Sequence, residues 1–306
     1  MAGTAATMPT LLDMVKFQGN DAVVGLIEEV ISKVPELALL PARGIPGQSY
    51  KTLARVTLPS VGFRSANEGS SESKSGYEER SVETFPLNPS WKCDKMVADI
   101  HPDGAEAYIA TEGAGMTKAA AMAVCKQMYY GRANDAKGFQ GLANFVDSGM
   151  VVDATGSTAN GATSVWAVKW GLQDVSLCFG ANGNLDLSDV RIGDAYDANN
   201  KRYTAYIQEL ASWVGLSVLS KWSVGRICNL TVQSGKGLTD TLLSQLLEKF
   251  PEDPDCFIMT RQSRGQLQRS RTATNATGQE APRPKDYEGI PIVVSESLVN
   301  TEAIVS

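Results

Sequence analysis

One histidine, His101, and five cysteines, Cys93, Cys125, Cys178, Cys228 and Cys256, are the side chains here best suited to acid–base, nucleophilic or metal chemistry. A lone imidazole followed by Pro102 has no partner with which to build a relay or a zinc site, and reads as a backbone-bonded or surface group. The cysteines are at least 28 residues apart and form no CxxC pair, so buried reduced thiols are expected, with neither a disulfide framework nor a zinc knuckle. SGKG at 234–237 has the lysine of a phosphate loop but lacks its first glycine and its Ser or Thr, and reads as a turn. GANGNLDLSD at 180–189 lacks the acidic opening and the late glutamate of a calcium loop. The adjacent acids Glu28 and Glu29, or Glu78 and Glu79, would not face one another on a helix and read as solvated charge. The one basic cluster, Arg261, Arg264, Arg269 and Arg271, is interleaved by glutamine with no aromatic to stack a base. It reads as an ion-pairing or solvated helix face. No catalytic, cofactor-binding or metal-ligating residue is expected.

Composition points the same way. The 306 residues are 43% apolar and 20% charged, enough for a substantial core, and the net charge is −6. A mildly acidic chain is a poor candidate for wrapping nucleic acid. The first residues carry no basic, apolar leader and no long apolar run follows, so neither secretion nor a membrane span is expected.

What remains distinctive is the order of elements. Val23, Ile27, Val30 and Val34 recur at helical spacing before Pro35, and PARGIPG at 41–47 breaks the pattern. Residues 50–63 alternate as a strand, with Ala54, Val56 and Leu58 on one face, and 82–87 read as its return. Between them, residues 64–81 hold 7 charged residues and 6 serines, a soluble tip unable to bury a core of its own. WKCDKMVADI at 91–100 reads as a further strand. Asp103 and Glu106 suggest a capping box opening an alanine-rich helix that ends at Gly131, with Gly113 and Gly115 as kink points. Strands follow at 164–171, 174–180, 202–220 and 224–232. A helix capped by Thr239, a strand at 256–260, the arginine helix at 261–271 and a buried strand at 290–295 complete an α+β chain.

This order resembles the major capsid protein of tailed bacteriophages with the Hong Kong 97-type fold. The likeness is carried by MTKAAAMAVCKQMYYGRANDAKGFQGLANF at 116–145, by SVWAVKWG at 164–171 with ASWVGLSVLSKWSVGRICNL at 211–230, and by DCFIMTRQSRGQLQRSR with DYEGIPIVVSESL at the C-terminal end. It implies an N-terminal arm over 1–46 and an extended β-hairpin E-loop over 47–90. A peripheral domain would occupy 91–235, with a spine helix at about 103–130 and strands at about 164–232, and an axial domain 236–306. The implied function is a structural shell protein, not an enzyme, whose copies form pentamers and hexamers of an icosahedral shell around double-stranded DNA. An encapsulin-like cargo compartment is the alternative on the same fold. Intersubunit contacts would fall on the E-loop and axial helix, at Arg64, Glu68, Lys74, Glu78, Arg80, Arg261, Arg264 and Arg269. Separate scaffolding, decoration and portal proteins are the possible partners, packaged DNA is touched non-specifically, and no membrane is involved. The place of synthesis is the host bacterial cytoplasm, and that of residence the virion. Some relatives crosslink through an E-loop lysine; Lys51 and Lys74 lie in that region, but crosslinking is not predicted.

Overall fold

The computed structural model describes residues 34–69, 72–183, 185–197, 199–275 and 279–305. The expected helix through Val23, Ile27 and Val30 lies outside them. The chain enters at a 3-10 turn, Pro35–Ala38, whose buried Glu36 accepts a hydrogen bond from Ser295 Oγ at 2.6 Å. β1 (Ala42–Gly44) is a short edge strand, and β2 (Ser49–Thr57) pairs with β3 (Gly76–Glu83) in an isolated hairpin. β4 (Phe85–Leu87) and β5 (Ser90–Asp94) follow, then the helical turn α1 (Lys95–Ala98) and the long helix α2 (Ala105–Tyr130). A short helix α3 (Leu142–Phe145) precedes β6 (Val151–Asp153), β7 (Thr163–Val168), β8 (Val175–Phe179), β9 (Leu185–Leu187) and β10 (Arg191–Tyr196). β11 (Arg202–Val218), β12 (Val224–Leu230), α4 (Asp240–Leu247), β13 (Cys256–Met259), α5 (Arg261–Thr274), β14 (Asp286–Tyr287) and β15 (Ile290–Val294) complete the described chain.

Two sheets organise these parts. In the first, the 17-residue strand β11 is the hub: β10, β9 and β8 pair successively along one edge, β5 and β4 along the other, and β1 adds in parallel to β8. α2 lies on one face of this sheet. Met116 and Ala120 pack on Leu210, and Tyr108 packs with Cys93 and Ala98. At 26 residues α2 is about 39 Å long. It runs unbroken through Gly113 and Gly115. Gly113 marks a close approach, since a Cβ there would stand 2.9 Å from Gln208 Oε1.

The second sheet has the order β14-β15-β13-β7-β12-β6. Its strands β7, β12 and β13 are buried at every position, because α4 and α5 cover one face and the core around Trp166 and Tyr129 the other. Leu243, Leu246 and Leu267 of the two helices pack on Val165, Ile227 and Phe257. The expected division between 235 and 236 runs through this sheet, which joins 151–168 and 224–230 to 256–294.

Local readings fared unevenly. Thr239 caps α4 through a bond from Leu242 N–H, and Gly131, with φ of 54°, ends α2. The start of α2 differs from expectation: Gly104 is its N-cap, with no side-chain cap, and Asp103 N–H bonds to His101 Nδ1 at 3.2 Å. Residues 91–100 do not stay extended, because the Asp94 carboxylate accepts from Met96 N–H and starts α1. The returning hairpin strand begins at Gly76 rather than 82, so the charged residues 76–81 are strand, and the face expected through Val56 and Leu58 is broken by a register shift after Arg55.

Candidate assembly surfaces

The hairpin β2–β3 is largely exposed. Its base is pinned to the far end of β11: the Tyr50 hydroxyl bonds Ser217 Oγ at 2.9 Å, and the Arg80 guanidinium donates to the Leu219 carbonyl. Thr84 Oγ1 donates to the Gln48 carbonyl at 2.8 Å, closing the junction with β4. Among the described residues, nothing beyond the base buries the hairpin's apolar side chains. Leu53 is 71% exposed, Leu58 73%, Val61 96% and Phe63 fully. A run of large apolar groups this exposed marks a surface built to be covered, each burial being worth about 2 kcal/mol.

The E-loop residues singled out from sequence fall into local pairs. Arg64 Nη1 donates to the Glu68 carbonyl at 2.8 Å, while Glu68 Oε2 accepts from Ser65 N–H at 3.2 Å, shaping the turn of the tip. Glu78 lies 3.6 Å from the Arg80 guanidinium, and Lys74 is exposed. The neighbouring Lys51–Glu79 pair, at 2.5 Å, crosses between the strands in solvent, where such pairs contribute little. Arg261, Arg264 and Arg269 are elsewhere, on α5. Arg261 pairs with Glu296 at 2.8 Å, whereas Arg264, half-buried, and Arg269, exposed, have no ion pair among the described residues. Burial and the nearby charges of Arg283 and Arg261 push the Arg264 guanidinium below its ordinary value. Arg271, read as part of the same cluster, is committed within the chain to Asp240 by three bonds of 2.7–3.1 Å.

Two features escaped the sequence reading. A cavity of about 460 Å³ opens at the hairpin base, with Phe85, Phe139 and Leu216 as an apolar floor and Arg80, Arg132 and Lys221 at its rim. A buried clasp ties the C-terminal segment to the six-stranded sheet and to the end of α2. Glu302 accepts from Ser164 Oγ at 2.5 Å, from Arg226 Nη2 at 3.0 Å and from the Tyr130 hydroxyl at 2.7 Å, and that hydroxyl accepts from Val299 N–H. No spacing rule links residues 130, 164, 226 and 302.

Elsewhere the chemistry is inert. All five cysteines are buried and free, and burial raises every thiol, Cys93 to about 11 and Cys256 to about 12. Among the described residues no group of three metal-ligating side chains gathers, and no helix is long and apolar enough to cross a membrane.

An exposed hairpin, a long helix laid on a hub strand and a sheet covered by two helices make up a fold already seen among solved phage structures. The comparison that carries this fold is a solved structure of bacteriophage Epsilon15, with a TM-score of 0.75 at 20% identity over 100% of this chain and 99% of that one. The particular family follows from sequence: the family model of Major capsid protein GP7 matches residues 42–306, and the chain belongs to that family. It is a structural capsid shell protein of the virion, not an enzyme. Partial likenesses extend to the SrpI encapsulin of Synechococcus elongatus PCC 7942, with a TM-score of 0.47 at 12% identity over 69% of this chain and 95% of that one. The capsid of an empty GTA particle gives 0.44 at 12% identity over 67% and 92%. No curated protein matches the sequence.

Proposed function

We propose that copies of this chain form five- and six-membered rings that close into an icosahedral shell around double-stranded phage DNA. The hairpin of each copy lies over its neighbour. The observation that carries this reading is the row Leu53, Leu58, Val61 and Phe63, which its own chain leaves in solvent. Ring contacts of this kind are heterologous, and a hairpin held only at its base can pivot to suit both ring sizes. The contacts proposed are Arg64, Glu68, Lys74, Glu78 and Arg80 on the hairpin and Arg261, Arg264 and Arg269 on α5. In domain terms, β2–β3 is the E-loop, and the β11 sheet with α2 is the peripheral domain. The six-stranded sheet with α4 and α5 is the axial domain, drawn from both sides of residue 235.

Synthesis in the host cytoplasm, separate scaffolding, decoration and portal proteins, and non-specific contact with DNA complete the reading. The net charge of −6 supports the last, because a mildly acidic wall confines a polyanion without gluing it down. The encapsulin alternative is less favoured, since the family is one of capsid proteins. The test is electron microscopy of purified protein beside a variant in which residues 59–74 are replaced by a short turn. The wild type is expected to form closed shells or rings and the variant to remain a folded subunit that assembles poorly. A variant that forms normal shells would refute the hairpin's role.

A further inference from the structure

A groove of about 500 Å³ follows α2 for about 12 Å, from Ala119 to Gln127, on the side where β4 passes. Phe85, Leu87, Pro89, Val124, Phe139 and Val214 make its lining apolar. On the helix side Ala119 and Ala123 are exposed, so only methyl groups stand between the groove and an incoming backbone. At the rim Asp135 and Lys137 carry opposite charges. Asp135 Oδ1 accepts from Lys137 N–H at 3.0 Å, and neither side chain makes an ion pair among the described residues.

The same chain displays what fits there. Every residue from Arg55 to Gly69 is exposed, Val61 at 96% and Phe63 fully. On an extended segment these two share a face about 7 Å apart, short enough for both to enter the groove. Beside them Arg64 and Glu68 supply one base and one acid, the complement of Asp135 and Lys137. Tip and groove nevertheless stand apart in one subunit. The groove begins at Phe85, next to the hairpin base where Tyr50 bonds Ser217. From Tyr50 the paired strand β2 carries the chain about 23 Å to Thr57, and its ladder to β3 keeps the hairpin from doubling back.

We propose that Val61 and Phe63 of one copy fill the α2–β4 groove of a second copy, with Arg64 and Glu68 meeting Asp135 and Lys137 at its rim. This rests on the ring-forming reading above and gives the hairpin its receptor. Phe63 is the anchor, a bare aromatic ring entering an apolar pocket, and the charges at the rim fix the register. Each copy offers one tip and one groove, so the contact runs head to tail and closes equally into five or six.

The test uses added thiols, since the five native ones are buried. F63C/A123C puts one cysteine on the tip and one in the groove, both at exposed positions. Treated with a short bismaleimide during assembly, this variant is expected to give a ladder of covalent oligomers reaching five and six chains. F63C mixed with A123C should stop at dimers, and either alone should give none. Rings or shells that form yet stay monomeric on a denaturing gel overturn the proposal and leave the ring reading standing. A123W blocks the groove without touching the hairpin, and is expected to cut the assembled fraction about tenfold with the subunit's melting temperature unchanged. Normal shells from A123W overturn the proposal, whether or not F63C/A123C assembles. So does an A123C thiol that labels slowly in the unassembled subunit and quickly once residues 1–33 are removed, which would make that segment the occupant. Wild-type protein that forms neither rings nor shells refutes the ring reading, and this proposal with it.

Discussion

Arg226, Ser164, Tyr130 and Glu302 come from four distant parts of the chain and satisfy one another where the six-stranded sheet meets the end of α2. Arg226 also lies 4.9 Å above the Trp166 ring. A buried charge stripped of its partner has no water to turn to. Glu302→Ala is therefore expected to lose about 3–5 kcal/mol in denaturant unfolding of the unassembled subunit. Glu302→Gln, which keeps the shape and an acceptor, should lose less. A second site is purely steric: a Cβ on Gly141 would stand 2.4 Å from the Gly131 nitrogen and 2.8 Å from the carbonyl oxygens of Gln127 and Met128. Gly141→Ala should cost about 1–3 kcal/mol, read as a lowered melting temperature. Residues whose role is local were legible. Thr239 announces a helix start because its partner is its own next turn. Glu302 was not, because a strand arginine and a carboxylate 76 residues apart meet only in the finished fold.

The hairpin shows how far composition can mislead about an element. Residues 76–81 are so charged that they read as loop, yet they form the first part of β3. A strand with solvent on both faces needs no apolar alternation, and its ladder to β2 supplies the order. The long helix was plain in sequence because alanine and its terminal glycine are intrinsic signals. The role of Gly113 was not plain, since a close approach to Gln208 is a property of the sheet rather than the helix. The base latch sets the hairpin's tilt with few contacts, so Tyr50→Phe with Arg80→Ala should leave the melting temperature within a few degrees. Limited proteolysis between β2 and β3 should quicken about tenfold. An unchanged cleavage rate would show that the backbone ladder alone holds the hairpin.

At the scale of the molecule, which strands share a sheet was the least legible feature. Strands from 151–153, 163–168, 224–230, 256–259 and 290–294 share one sheet, and periodicity carries no record of which strand pairs with which. The burial of five thiols in these cores has a consequence for alkaline stability. Cys93 and Cys256, raised from 9.0 to about 11 and about 12, keep their protons in the fold at a pH where the unfolded chain has lost them. Their contribution is therefore intact below pH 9, and falls as pH climbs from 9 toward 11 and 12. Unfolding midpoints in urea should drop over that window, and a variant with both cysteines replaced by alanine should show a shallower drop. Thiol reagents at pH 8 should likewise leave native protein unlabelled and modify all five cysteines once it is denatured.

β11 bonds to five other strands along about 56 Å of extended chain. A force applied along that strand is carried in shear, with many ladder bonds loaded at once, whereas a force across it peels them one by one. The subunit is thus mechanically anisotropic, stiff along β11 and yielding across it. Tethers at residues 202 and 218 should report a rupture force well above that for a pull across the sheet. In a shell wall under tension, that stiff axis is the one able to bear the load.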